Sequence, residues 1–143
     1  MKKNRKNVSL LSTLLASIVF FSAIMLFSGC GSSNKLADCF DESTVKKQAQ
    51  DDITIAESDD FEGWLARFSP DLQSAVTEAA YTSYLDTLKE KGAFTEFGKT
   101  AVIGQEQNGT NYAVAIVICK HEKGDIKYTI AYDENMNLIQ FTI

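Results

Sequence analysis

Apolar residues recur at intervals of three and four positions between residues 42 and 91, which predicts amphipathic helices with one buried face each. Three series carry this period: Val45, Ala49, Ile53 and Ala56; Phe61, Trp64, Leu65 and Phe68; and Ala80, Tyr84 and Leu88. Ser69-Pro70 ends the second series, and Gly92 follows the third as a helix stop. The pattern therefore predicts about three helices.

Beyond Gly92 the apolar period changes to two, which is typical of strands. The candidate strands cover residues 94–105, 111–120, 126–132 and 138–143. Asn108-Gly109 between the first two is a strong hairpin signal. Helices followed by strands in separate halves of a chain indicate an α+β domain. We expect the helices to pack on one face of a four-stranded antiparallel meander sheet.

The second candidate strand is apolar on both of its faces. Tyr112, Val114, Ile116 and Ile118 lie on one face, and Ala113, Ala115, Val117 and Cys119 lie on the other. A strand that is apolar on both sides is usually covered on both sides, but the pattern predicts only one helical layer. Two interpretations stay open. A homodimer or another cell-envelope protein covers the outer sheet face, or small alanine side chains are simply exposed there.

The first 29 residues have a different character from the rest. Lys2, Lys3, Arg5 and Lys6 precede an apolar stretch over residues 8–27, as in a signal peptide. About 20 apolar residues are also long enough for an uncleaved membrane helix, so length does not separate the two.

The residues that end this stretch do separate them. Residues 26–30, Leu-Phe-Ser-Gly-Cys, resemble the lipobox of bacterial lipoproteins, in which small residues precede a cysteine that receives a diacylglycerol before cleavage. The resemblance implies that Cys30 is the lipid attachment site and the mature N-terminus, on the extracytoplasmic side of the cell membrane. The predicted organisation is a signal peptide over residues 1–29, a lipidated tether over 30–41 and one α+β domain over 42–143.

Charge is distributed unevenly across the predicted cleavage site. The leader holds four of the 14 basic residues and none of the 19 acidic ones, so the remainder has 10 basic against 19 acidic residues. Such an acidic surface repels phosphate backbones, and we expect no nucleic-acid partner. It also repels anionic lipid headgroups, so attachment to the membrane must come from the lipid on Cys30.

Several turn and core signatures resemble one family of secreted bacterial domains. They are Asp59-Asp60-Phe61, the turn over 68–72, Leu88 with residues 92–94, and the closing stretch over 132–139. From Val45 to Ile143 the chain resembles the domain of unknown function 3887, within the nuclear-transport-factor-2-like, cystatin-like group of folds. That resemblance implies a curved sheet and helices that enclose a pocket in some members. In that family the module often precedes an α/β-hydrolase domain, where it resembles an accessory unit. This chain departs from that arrangement by ending at the module, so the resemblance implies no hydrolase activity.

The chain offers little catalytic chemistry. Its single histidine, His121, stands among charged residues at a strand end, and we interpret it as a surface residue. No Gly-x-Ser-x-Gly elbow is present, which argues against hydrolase activity. A second histidine and cysteines at ligand spacing are also missing, so we expect no metal and no cofactor.

Two sets of residues carry alternative interpretations. Cys39 and Cys119 are the thiols that remain after lipidation, and outside the cell they would be able to form a disulfide; Cys119 alternatively packs as a small buried residue. Trp64, Tyr81 and Tyr84 are spaced as core residues, with the lining of a small pocket as the alternative.

Two classes of function follow from these observations. The preferred one is a non-catalytic binding or interaction module at the cell surface, because no catalytic constellation stands out. The alternative is a small-molecule pocket protein, such as an isomerase-like enzyme. It would require an enclosed cavity with a buried ionisable group, for which the sequence offers no convincing inward histidine or carboxylate.

Overall fold

The computed structural model describes residues 35–143, and Cys30 with the predicted signal peptide lies outside them. Its elements are α1 (Glu42–Glu57), α2 (Phe61–Leu65), α3 (Pro70–Gln73), α4 (Glu78–Lys91), β1 (Phe94–Gln107), β2 (Thr110–His121), β3 (Gly124–Tyr132) and β4 (Leu138–Thr142). The strands form one antiparallel sheet in the order β1-β2-β3-β4. The predicted α+β architecture is confirmed, with the one-turn helix α3 added to the three expected helices.

Three helices begin at a side chain that caps their free amide groups. Asp41 accepts a hydrogen bond from the Thr44 amide at 2.8 Å, and Asp60 accepts one from the Gly63 amide at 2.9 Å. Thr77 caps α4 in the same way. Each cap satisfies a backbone donor that has no partner within its own helix, which fixes the start of the element.

The core lies between α1 and the small-residue face of β2. The α1 side chains that face the sheet are at most 1% exposed, and those of β2 are fully buried. They are Val45, Ala49, Ile53 and Ala56 on the helix, and Ala113, Ala115, Val117 and Cys119 on the strand. Small residues on both surfaces let the helix approach the sheet closely. The interpretation that placed the alanine face in the open is therefore wrong: the face with Val114 and Ile116 is the outer one.

The segment before α1 belongs to the folded unit. Phe40 is buried, and Leu36 and Ala37 pack against the core. The backbone here crosses β1 so closely that a Cβ atom on Gly104 would lie 2.0 Å from the carbonyl oxygen of Lys35. Only glycine fits such an approach. The folded unit thus begins within the stretch that the sequence pattern assigns to the tether over 30–41.

Among the described residues, no helix combines the length and the apolar character needed to cross a membrane.

Candidate functional site

A solvent-open cleft lies where α1 and α4 end, β1 begins and β2 ends. Its volume is about 410 Å³. Its lining consists of Glu57, Leu88, Lys89, Gly92, Ala93, Phe94 and His121. The volume falls within the range of small-molecule sites, and the lining combines apolar walls with three ionisable groups, Glu57, Lys89 and His121.

His121 lies beneath the loop that follows α4. It is 7% exposed, because strand alternation directs it inward in line with Cys119. Its Nδ1 lies 3.1 Å from the carbonyl oxygen of Gly92. A carbonyl oxygen only accepts, so Nδ1 carries the hydrogen. The interpretation of His121 as a surface residue is wrong, because the backbone of Gly92 covers the end of β2. The alternation of apolar and polar residues does not reveal that contact.

Glu57 is the last residue of α1 and forms the polar floor of the cleft. Its side chain is 14% exposed. Its Oε1 accepts a hydrogen bond from the Tyr128 hydroxyl at 2.7 Å, and the Tyr84 hydroxyl lies 2.9 Å from that of Tyr128. Tyr128 uses its hydrogen on Glu57, so Tyr84 is the donor to Tyr128. Burial raises the pKa of both tyrosines above its ordinary value, which keeps both hydroxyls protonated.

The contact between Glu57 and His121 is incomplete. Glu57 Oε1 lies 3.4 Å from His121 Nε2, a buried atom without a hydrogen-bond partner among the described residues. With Nδ1–H bonded to Gly92, a neutral imidazole presents its lone pair to the carboxylate. Two acceptors at this distance repel each other unless a proton lies on one of them or a positive charge lies nearby. The pair is therefore sensitive to charge in the cleft.

A second carboxylate, Asp52, is fully buried and has a structural role. It accepts hydrogen bonds from Arg67 Nε at 2.6 Å, from Gln48 at 3.1 Å and from the Tyr132 hydroxyl at 2.7 Å. Arg67 also donates to the carbonyl oxygen of Met136 at 3.0 Å. The hydrogen bond to Asp52 raises the pKa of Arg67. This network joins α1 to the loop after α2 and to the turn between β3 and β4.

The expectation that no inward carboxylate or histidine exists is wrong on three residues: Asp52, Glu57 and His121. For Asp52 the sequence holds a signal, since it lies three residues after Ala49 and four before Ala56, on the buried stripe of α1. Glu57 lies four residues after Ile53, at the edge of the same stripe.

Trp64, Tyr81 and Tyr84 pack together instead of lining the cleft. The ring of Trp64 stacks on those of Tyr81 and Tyr84 at centroid distances of 5.0 and 6.3 Å. Phe68 and Phe141 approach Trp64 edge-on at 4.9 and 5.3 Å. Tyr84 alone among the three connects to the cleft, through its hydrogen bond with Tyr128.

Cys39 and Cys119 are both free in the structure. Cys39 is exposed, whereas Cys119 is fully buried in the core. The disulfide considered from the sequence is therefore not formed here, and Cys119 packs as a small apolar residue. Burial raises the pKa of the Cys119 thiol to about 12, so it carries no thiolate for chemistry at neutral pH.

No group of three or more metal-ligating side chains occurs within residues 35–143.

The helices pack on one face of an antiparallel meander sheet, and the hydrogen-bonded side chains of Tyr84, Tyr128 and Glu57 lie at one end of it. This arrangement defines an α+β module with an open cleft. The chain belongs to the family described as protein of unknown function (DUF3887), whose model matches residues 49–141. This confirms the family resemblance of the sequence. The structure is also similar to an NMR structure of a protein from Ruminococcus gnavus ATCC 29149, with 47% identity and a TM-score of 0.72. That similarity covers 77% of this chain and 96% of the other. No match was found among curated proteins.

Proposed function

We propose that this protein is a lipid-anchored, extracytoplasmic lipoprotein whose folded domain is a non-catalytic interaction module that associates with a second copy of itself. The anchor is supported by the lipobox-like sequence that ends at Cys30 and by the basic and apolar segments before it. The interaction role is supported by one observation above all, the apolar outer face of the sheet.

The outer patch consists of Ala101, Ile103, Val114, Ile116, Ile118 and Ala131. Strand pairing places Ile103 beside Val114, and Val114 beside Ala131, so the patch is continuous across three strands. Its members are half-buried, except that Val114 and Ala131 are buried, and none belongs to the hydrophobic core cluster of the described residues. A continuous apolar patch that lies outside the core supports an interaction site.

The charges beside the outer patch favour a second copy as its occupant. Lys120, Glu96, Asp125 and Lys127 lie at one end of the same face, with Lys120 and Glu96 joined by a 2.7 Å ion pair. Two positive and two negative groups balance here, although the described residues carry 10 basic against 19 acidic side chains in total. The balanced charges at this end of the face therefore add no net repulsion between two copies. In an isologous dimer the outer patch of one copy contacts the outer patch of the other. A lipid anchor raises the local concentration of the protein, which favours such a dimer.

Replacing Cys30 with alanine is expected to abolish lipid attachment and, because lipidation precedes cleavage, to leave the apolar leader on the protein. Labelling of cells with an alkyne fatty acid measures the lipid, and the intact mass measures the retained leader. Cys39→Ala is the matched control, because it removes a free thiol without touching the lipobox, and it should label normally. A Cys30→Ala protein that labels like the wild type, or a wild type that carries no label and keeps its leader, would contradict the proposal.

Replacing Ile116 with glutamate at the centre of the outer patch is expected to raise the dissociation constant of the dimer by at least about 30-fold, because it buries a charge in an apolar contact. Sedimentation equilibrium of residues 31–143 over a range of concentrations measures this. The soluble domain is a reasonable sample, since a 47% identical protein of similar length has been solved by NMR.

The matched control for Ile116→Glu is Thr82→Glu, which adds the same charge at an exposed position of α4. It should associate like the wild type, and circular dichroism should show both variants folded. If the wild-type domain stays monomeric up to about 1 mM, its self-association is too weak to be specific, and the proposal is overturned.

A further inference from the structure

We propose that the cleft at the ends of α1 and α4 binds small amphipathic primary amines, with the ammonium group on Glu57 and the apolar body on Phe94. This site is separate from the outer patch, because Glu57 and Leu88 lie on the helical side of the sheet. It goes beyond the proposed self-association and does not depend on it.

The electrostatics of the cleft floor favour a cation. Glu57 occupies the C-terminal residue of α1, where the helix dipole is negative and a basic residue would be expected; the last turn of α1 has none. Among the described residues only Tyr128 donates a hydrogen bond to Glu57, and it does so to Oε1. Oε2 accepts no hydrogen bond from the described residues, and the Glu57 side chain is 14% exposed. A charge-assisted hydrogen bond from an ammonium group fits this oxygen.

The unpartnered nitrogen of His121 points to the same ligand charge. Its Nε2 faces Glu57 Oε1 at 3.4 Å without a hydrogen bond. When the imidazole is neutral, a positive charge on the other carboxylate oxygen offsets the repulsion between the two acceptors. An anion in the cleft would increase it.

The apolar wall of the cleft sets the second requirement on the ligand. Phe94 is 40% exposed, one of two large apolar side chains that stay exposed among the described residues; the other, Ile143, is the last residue of the chain. Its ring is held edge-on to His121 at 5.8 Å and packs on Phe97 at 4.8 Å. Leu88 and Ala93 continue this surface. An aromatic or short aliphatic body fits against this surface.

One lysine borders the cleft but does not oppose a cation strongly. The ammonium group of Lys89 lies 2.9 Å from the carboxylate of Asp86, and the Lys89 side chain is 75% exposed. Its charge is paired and screened by solvent. The described residues as a whole are acidic, which adds attraction for small cations.

The test is titration of residues 31–143 with 2-phenylethylamine, with binding measured by calorimetry and by amide chemical shifts. Saturable binding with shifts that cluster around Glu57, Gly92 and Phe94 is the expected result. Two probes dissect the ligand: 2-phenylethanol keeps the body without the charge, and ethylamine keeps the charge without the body. Each should bind at least about tenfold more weakly than the complete ligand. Equal binding of the alcohol would overturn the proposal.

Variants then dissect the site. Glu57→Gln keeps the shape and removes the charge, and Phe94→Ala removes the exposed ring; each should weaken amine binding at least about tenfold. Glu90→Gln, an exposed carboxylate on α4, makes the same change in net charge and should bind like the wild type. Amide spectra show whether each variant is folded, and Phe94→Ala provides the test if Glu57→Gln is not. Wild-type affinity in a folded Glu57→Gln domain would overturn the proposal.

Ile116→Glu should leave amine binding unchanged. Loss of self-association and loss of ligand binding are thus separate results.

Discussion

Replacing Asp52 with alanine is expected to lower the free energy of unfolding by about 3–5 kcal/mol, as is usual when one partner of a buried ion pair is removed. The substitution leaves the Arg67 guanidinium, which is 27% exposed on its side chain, without its carboxylate. It also leaves the fully buried hydroxyl of Tyr132 without an acceptor. Urea denaturation of residues 31–143, followed by circular dichroism, measures the change.

The neighbouring residue provides a matched control for Asp52. Asp51 has the same side chain on the same helix, but it is 49% exposed and pairs with Lys47 at the surface. Asp51→Ala should cost at most about 1 kcal/mol. Asp52→Asn keeps an acceptor for Tyr132 and loses only the charge, so a smaller loss of about 1–3 kcal/mol is expected. If Asp52→Ala proved no more harmful than Asp51→Ala, the network would not stabilise the fold as described.

Replacing Trp64 with alanine is expected to lower the free energy of unfolding by about 3–5 kcal/mol through the cavity that it leaves. Trp64 is 7% exposed and is surrounded by the rings of Phe68, Tyr81, Tyr84 and Phe141. These rings come from α4, β4 and the segment after α2. The indole therefore joins the short helix α2 to the rest of the core.

Two further substitutions separate the cavity at Trp64 from the simple loss of an aromatic ring. Trp64→Phe retains most of the apolar volume and should be clearly milder than Trp64→Ala. Phe94→Ala removes a ring that is 40% exposed and should change stability by about 0.5 kcal/mol or less. Circular dichroism suits all three variants, because the chain has no other tryptophan for fluorescence. Equal losses for Trp64→Ala and Phe94→Ala would contradict the packing argument.

Periodicity predicts the α+β architecture because each element buries one face. The stripe through Val45, Ala49 and Ile53 gives α1, and the alternation on either side of Asn108-Gly109 gives the hairpin of β1 and β2. Which face of β2 contacts the helices does not follow from alternation, because both faces are apolar. That choice depends on the small residues of α1, which fit against alanines and not against the branched side chains of Val114 and Ile116.

The candidate cleft is harder to predict than the fold. Glu57 and His121 are 64 positions apart in the sequence, and only the packed ends of α1 and β2 bring them to 3.4 Å. The burial of His121 depends on the backbone of Gly92, a contact with no periodic signature. The prediction of Trp64 as a core residue needed no such information, because its neighbours repeat at helical spacing.

The close crossing at Gly104 limits how far the folded domain can stand from a lipid on Cys30. Lys35 crosses β1 at Gly104, opposite Ala113, and it follows Cys30 by five residues, which span at most about 17 Å when extended. If Cys30 carries the proposed lipid, this crossing lies within that reach of the lipid. His121 lies eight residues beyond Ala113 along β2, about 27 Å away. The proposed anchor and the cleft are therefore attached to different ends of the same strand.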